Sequence, residues 1–513
     1  MIAFNIPSPG PHTISPTSAL PIITDPVTID GTSEPDFTGS PIIELDGTNA
    51  LAANGLEISA GSSTVRGLVI NRFGGLGIFI TTNGGNIVEG NFIGTDVTGS
   101  VDLGNSLGGV RIFNASNNTI GGTVASARNI ISGNSFDGVT IVGSLATMNQ
   151  VQGNLIGTDV TGTADLGNSS EGVSISTNAA NNTIGGMMAG ARNVISGNDA
   201  NGVGLSGGAT GNIVQGNFLG TDMTGAVALG NGGAGVIING GSDNTIGGTA
   251  ASAGNTIAFN SGRGVLVLSG TGNAIGANLI FSNVGLGIDL DEDGVFVTSD
   301  GVTPNDPGDG DTGANNLQNF PVLTVVSSSS GSTTIAGTLN STASTSFDLQ
   351  FFANPSCDLF GNGEGAMFIG SATVMTNGSG NASFTVTLPT PLPFGHVMTA
   401  TATDPSGNTS EFSECVTVLP RLQDDRSANC LTLNEGAGTY TFKTSSGTFT
   451  GPVVITQTGT ILNFQSGPGD PNLLQGGVDL LRRVGNARLN VPRGGPAVFT
   501  VSDRNIDNNG PCP

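Results

Sequence analysis

The run Asn86-Ile87-Val88-Glu89-Gly90-Asn91-Phe92-Ile93-Gly94-Thr95-Asp96 returns as Asn149-Gln150-Val151-Gln152-Gly153-Asn154-Leu155-Ile156-Gly157-Thr158-Asp159. It returns again as Asn212-Ile213-Val214-Gln215-Gly216-Asn217-Phe218-Leu219-Gly220-Thr221-Asp222, with a constant step of 63 residues. Self-similarity at a fixed period means one structural unit copied and stacked. A finer period lies inside it. Asn118-Thr119-Ile120-Gly121-Gly122, Asn182-Thr183-Ile184-Gly185-Gly186 and Asn244-Thr245-Ile246-Gly247-Gly248 fall halfway between the first markers, so the unit is half the repeat.

Each half holds three apolar runs: an Asn-x-Ile run, a run such as Asn129-Ile130-Ile131-Ser132-Gly133-Asn134, and a closing Gly109-Val110-Arg111-Ile112 or Gly172-Val173-Ser174-Ile175. Three short strands separated by Asn and Gly turns describe one coil of a parallel β-helix, with equivalent strands pairing about 4.8 Å apart and alternate residues pointing inward. Ile93, Ile156 and Leu219 are expected in the core, as are Ile120, Ile184 and Ile246. Asn91, Asn154 and Asn217 occupy a repeated turn, where side-chain amides can form a ladder and satisfy the turn backbone. Asn134, Asn198 and Asn260 make a second series. With the coils before Asn86, about ten rungs give a rod about 45 Å long, and its terminal coils need caps.

The Asn-x-Ile-Gly-Thr-Asp, Leu-Gly-Asn, Asn-Thr-Ile-Gly-Gly and Ala-Arg-Asn-x-Ile-Ser-Gly-Asn runs recur in fixed order over residues 1–320. They resemble the right-handed parallel β-helix repeats of bacterial secreted proteins in the pectin-lyase-like superfamily. Members usually carry a signal sequence ahead of a start like Ile2-Ala3-Phe4-Asn5-Ile6-Pro7, so an N-terminally truncated product is the expectation. The first residues themselves lack the basic start, apolar run and cleavage site of a signal peptide.

Past Ile280 the repeat fades into an acidic segment. From residue 317 the pattern becomes period-two alternation, as in Thr333-Thr334-Ile335-Ala336-Gly337-Thr338-Leu339, which predicts an antiparallel β-sandwich. Its Ala402-Thr403-Asp404-Pro405-Ser406-Gly407-Asn408 run resembles the closing strands of immunoglobulin-like modules in bacterial surface proteins. The expected organisation is all-β: a right-handed parallel β-helix over 1–316, an immunoglobulin-like β-sandwich over 317–420 and a small β domain over 421–513. Glycine at 84 positions and charged residues at only 10% argue against α-helix. The four cysteines, Cys357, Cys415, Cys430 and Cys512, all lie in the C-terminal third without CxxC or metal-ligand spacing. Two disulfides in an oxidising compartment are therefore expected. A bridge between Cys357 and Cys415 would contribute about 4 kcal/mol in the chain-entropy model.

A net charge of −24 excludes nucleic acid and anionic membrane as partners, because phosphates need a basic footprint. No stretch approaches the roughly 20 apolar residues of a membrane span. Catalysis has to be sought in residues, since the fold hosts many functions. A lyase needs acidic calcium ligands beside an Arg base, and a hydrolase a close pair of carboxylates. Asp96, Asp159 and Asp222 recur at one position, as do Arg128 and Arg192. Recurrence points to a structural ladder with Asp-capped turns, whereas an active site is one irregular cluster. His12 and His396 fall in different predicted domains. Sugar-stacking Trp is absent, Tyr440 is the single tyrosine, and the 24 Phe residues are expected mainly in the core.

The acidic segment has two readings. Asp289, Asp291 and Asp293, followed by Gly294 and by Asp300 in twelfth place, follow the carboxylate spacing of a calcium loop. An acidic solvated linker is the other reading: Asp in place of Glu closes the loop, and no flanking helices are expected. The leading functional expectation is a non-catalytic, secreted or cell-surface protein for adhesion, surface structure or polysaccharide binding. The alternative is a polysaccharide lyase or glycoside hydrolase acting in a groove of the β-helix, recognisable by one coil where charged residues interrupt the repeat.

Overall fold

Apolar residues at alternate positions of very short strands build three long parallel sheets, because each coil contributes one strand to each sheet. The structure is a computed structural model that describes residues 1–291, 301–328, 331–393 and 395–419, and beyond these the backbone of strands up to residue 501. The first sheet runs from Ile2–Ala3 to Ala274–Gly276 and the second from His12–Ile14 to Leu279–Phe281, with ten strands each. The third runs from Leu56–Ile58 to Ile288–Leu290 with nine. Together they form a parallel β-helix. Among the described residues no helix is long and apolar enough to cross a membrane.

In the second sheet Ile93 pairs with Ile131, which pairs with Ile156, and the column continues through Ile195, Leu219 and Ile257 to Ile280. Ile93, Ile156 and Leu219 are therefore two coils apart, with the other half-repeat between them. Ile120, Ile184 and Ile246 alternate in the same way with Val151 and Val214 in the first sheet. All of these side chains are fully or almost fully buried.

Three asparagine ladders hold the turns. Asn91 donates from Nδ2 to Asn129 Oδ1 at 3.1 Å, Asn129 to Asn154 at 2.9 Å, and the chain runs through Asn193, Asn217 and Asn255 to Asn278. A second ladder links Asn105, Asn134, Asn168, Asn198, Asn231, Asn260 and Asn283. The third runs from Asn86 through Asn118, Asn149, Asn182, Asn212 and Asn244 to Asn273. Each Oδ1 also accepts the backbone N–H of the preceding asparagine, as Asn193 does from Asn154 at 3.0 Å. Buried turn backbone is thereby satisfied without water.

The last coil meets a seven-stranded sheet spanning Val322–Ser328 to Val416–Pro420. Alternation along these strands predicts a purely antiparallel arrangement, but one pair is parallel. Val416–Pro420 pairs antiparallel with Val397–Thr403 through Val416 and Thr417, and parallel with Val322–Ser328 through Val418, Leu419 and Pro420. Period-two alternation reports which face is buried and is indifferent to strand direction. Cys357 and Cys415 are joined by a disulfide inside this module. Beyond it, strands between Cys430 and Val501 pair antiparallel in a six-stranded sheet. The Cys430 side chain and Cys512 lie outside the described residues.

The module closes the open end of the helix with side chains. Gly272 N–H donates to Asn408 Oδ1 at 2.7 Å, Ile275 to Thr409 Oγ1 at 2.9 Å and Ala277 to Gln350 Oε1 at 2.7 Å. Glu364 accepts from Ser282 N–H at 2.5 Å and Asn283 N–H at 3.0 Å, and Glu411 from Leu290 N–H at 2.9 Å. Phe412 and Phe352, packed edge to face at 5.2 Å, join the helix core from the same side.

Candidate functional site

The outward positions of the third sheet form a column that changes character along the rod. In register they run Glu57, Phe79, Arg111, Thr140, Ser174, Gly204, Ile237, Leu266 and Asp289. A parallel column is set by the residue preceding each strand-opening glycine: Gly108, Asp137, Glu171, Asn201, Ala234 and Arg263. Polar groups thus gather over the coils whose strands are Val110–Phe113, Val139–Val142, Val173–Ser176 and Val203–Ser206. On one side Ala234, Ile237, Leu266 and Leu268 make a buried apolar cluster. At the far end Arg263 Nε bonds Asp289 Oδ2 at 2.5 Å.

Two carboxylates sit at the centre of the polar stretch. Asp137, 5% exposed, accepts from Thr140 Oγ1 at 3.0 Å and from Glu171 N–H at 3.2 Å. Glu171 accepts from Asn201 Nδ2 at 3.2 Å, and its carboxylate lies directly over Gly204. A Cβ at position 204 would stand 2.2 Å from Glu171 Oε2, so any larger residue there would have to displace the carboxylate from its present place. Burial, and secondarily the negative charge of Asp137, push the Glu171 carboxyl above its ordinary range against the bonds from Ser174 and Asn201. On the neighbouring strand the Arg111 Nε is buried without a hydrogen-bond partner. Phe113, 39% exposed, shares the outer face with Arg111, and Phe136, 55% exposed, immediately precedes Asp137. The expectation that phenylalanines serve mainly the core does not extend to these two.

The residues singled out from sequence lie elsewhere. Asp96 accepts from Thr98 Oγ1 and from the N–H groups of Ser100 and Val101, and Asp159 and Asp222 repeat the arrangement. Burial opposes ionisation of all three, but these hydrogen bonds outweigh it and hold the carboxyls below their ordinary range. Arg128 and Arg192 donate from Nε to the Gly153 and Gly216 carbonyls at 3.2 and 3.0 Å, and the Arg192 guanidinium lies 4.1 Å over the Phe218 ring. Arg128 also lines a groove of about 450 Å³ with Phe37, Arg66 and Glu89. There Arg66 is already tied to Asp30 at 2.6 Å and Glu89 at 3.9 Å.

Asp289 lies within the last strand, Ile288–Leu290, paired with Arg263, and Asp291 directly follows it; both are buried. Asp293 and Asp300 lie outside the described residues. A different acidic set stands close together nearby: one carboxylate oxygen each from Asp306, Asp309 and Asp311 falls within 4.8 Å of the others. Asp309 accepts from Ser341 Oγ at 2.6 Å and Asn319 N–H at 2.8 Å, and burial raises its carboxyl above the ordinary range.

The fold and this face define a class: a parallel β-helix that gathers carboxylates, an arginine and exposed phenylalanines on the outer side of its third sheet. No protein-family model matches the chain, and no curated protein matches it.

Proposed function

We propose that this chain is an exported or cell-surface polysaccharide-binding protein whose binding face is the outer surface of the third sheet. The observation that supports it is the grouping of Asp137, Glu171, Asn201 and Arg111 beside exposed Phe113 and Phe136. Sugar rings present apolar faces that stack on aromatic rings and hydroxyls that pair with carboxylates and amides. The rigid stack fixes these groups, so a chain of sugars laid across successive coils meets them in one spacing. This reading takes the helix as right-handed and pectin-lyase-like and the seven-stranded module as immunoglobulin-like, with the disulfide suiting an oxidising exterior. Calcium belongs to the proposal at Asp306, Asp309 and Asp311, where oxygen donors suit a hard cation. A rise in melting temperature on adding calcium, reversed by EGTA, is expected; no change removes calcium from the account.

Affinity electrophoresis against a panel of neutral and acidic polysaccharides tests the main reading. Phe136→Ala and Phe113→Ala are expected to weaken retention at least tenfold. Retention unchanged in both variants refutes the face as the site.

A second reading rests on the carboxyl pair itself. Glu171, its carboxyl raised by burial, has the character of a general acid, and Asp137 would supply the second carboxylate of the pair that a glycoside hydrolase uses. Release of reducing ends from a bound polysaccharide, abolished in Glu171→Gln, would establish hydrolysis in place of binding alone.

A further inference from the structure

The first two coils bring together a separate set of ligands at the far end of the rod. His12 opens the strand His12–Ile14 in register with Ile43, which belongs to the hydrophobic interior. The residue is 9% exposed, and its Nε2 is buried without a hydrogen-bond partner. Native structures seldom leave such a group unsatisfied, and each exception calls for an explanation such as an ion. Glu34, 3% exposed, and Asp36 lie in the turn after Thr28–Asp30, one coil on. One ring nitrogen of His12 and one carboxylate oxygen from each of these two lie within 4.8 Å of one another.

Charge and orientation point the same way. Neither Glu34 nor Asp36 has an ion-pair partner among the described residues, so two carboxylates converge on an imidazole with nothing positive beside them. Both are aimed by the backbone of the first coil: Glu34 accepts from Ile6 N–H through Oε1 at 3.2 Å and Oε2 at 3.1 Å, and Asp36 Oδ2 accepts from Gly10 N–H at 2.6 Å. Such bonds orient ligating carboxylates and leave lone pairs for a cation. One imidazole with two carboxylates is a mixed nitrogen and oxygen set, suited to zinc and its divalent first-row neighbours.

We propose that His12, Glu34 and Asp36 form a binding site for a divalent metal ion of the zinc class. The ion ties the first coil to the second and leaves at least one coordination position open to solvent or ligand. Zinc chloride titrated into the full chain tests this by calorimetry and by imidazole ¹⁵N spectra, which are simple because His12 and His396 are the only histidines. One zinc per chain is expected, with the His12 nitrogens shifting and those of His396 unmoved. Asp36→Asn, at an exposed position, is expected to weaken zinc binding at least about tenfold, and His12→Gln to abolish it. Calcium in place of zinc is expected to leave the His12 signals in place, which separates this site from Asp306, Asp309 and Asp311. Zinc binding that is absent, or equally tight in the folded Asp36→Asn variant, overturns the proposal.

Discussion

Asn154→Ala is the most direct test of what holds the coils together. The native side chain accepts from Asn129 N–H at 3.3 Å and Asn129 Nδ2 at 2.9 Å, and donates to the Ile120 carbonyl at 2.9 Å and Asn193 Oδ1 at 3.1 Å. Truncation removes the partner of two buried donors on Asn129 and one carbonyl on the coil before. At about 1–3 kcal/mol for each buried group left unsatisfied, the loss is at least about 3 kcal/mol. In a stack that couples each coil only to its neighbours, the loss falls on the two interfaces around Asn154. Native-state hydrogen exchange reads it locally: protection over Ile130–Ile131 and Leu155–Ile156 should drop more than about a hundredfold, since each 1.4 kcal/mol is tenfold. Asn49→Ala, in an exposed turn, is the control and should change nothing measurable. Asn154→Asp keeps the shape, loses the donors and buries a carboxylate, so it should cost at least as much. A drop below tenfold in Asn154→Ala, or a silent Asn154→Asp, refutes the ladder as a source of stability.

Three further outcomes follow from the geometry. Replacing Cys357 and Cys415 together by Ala should lower stability by about 4 kcal/mol in the chain-entropy model, seen as a lower melting temperature of the seven-stranded module. Because the Glu171 carboxyl is raised above the ordinary glutamate value of 4.5, its folding contribution is fully present below that pH and lost as pH rises through the raised value. Thermal scans from pH 4.5 upward should show this decline in the wild type and a flatter profile in Glu171→Gln. Glu364→Ala frees the N–H groups of Ser282 and Asn283 on the last coil, and light scattering should detect more self-association than in the wild type.

The coil was legible because its apolar columns recur, and Val88, Ile120 and Val151 do fall in one register. Half of the ladder from Asn91 to Asn278 was harder to see. Asn91 and Asn129 are 38 residues apart but Asn129 and Asn154 only 25, since loops of different length interrupt alternate coils. Along this ladder equal spacing survives only over two coils, which is why Asn91, Asn154 and Asn217 stand out while Asn129 and Asn193 hide between them. The candidate face was obscured for the opposite reason. Periodicity assigns a residue by what recurs, and Phe92 and Phe218, both nearly buried, recur. Phe136, Asp137 and Glu171 do not. A signal existed in the residue before each strand-opening glycine, where Asp137, Glu171 and Asn201 follow one another. The capping of the last coil by Gln350, Glu364 and Asn408 is a long-range match that no local pattern encodes.

Those capping side chains also decide how such a rod can change size. A stack of parallel coils is a one-dimensional polymer, and the module acts as its chain terminator, offering acceptors that another coil would otherwise supply. Because the terminator recognises only the last coil's backbone and a few of its side chains, coils can be added or deleted upstream without disturbing it. The 63-residue step is the natural quantum of such change, since it restores the same turn and the same loop lengths. Each step moves the module about 9–10 Å along the axis. The distance between the two ends of this molecule is thus adjustable in fixed increments by duplication alone.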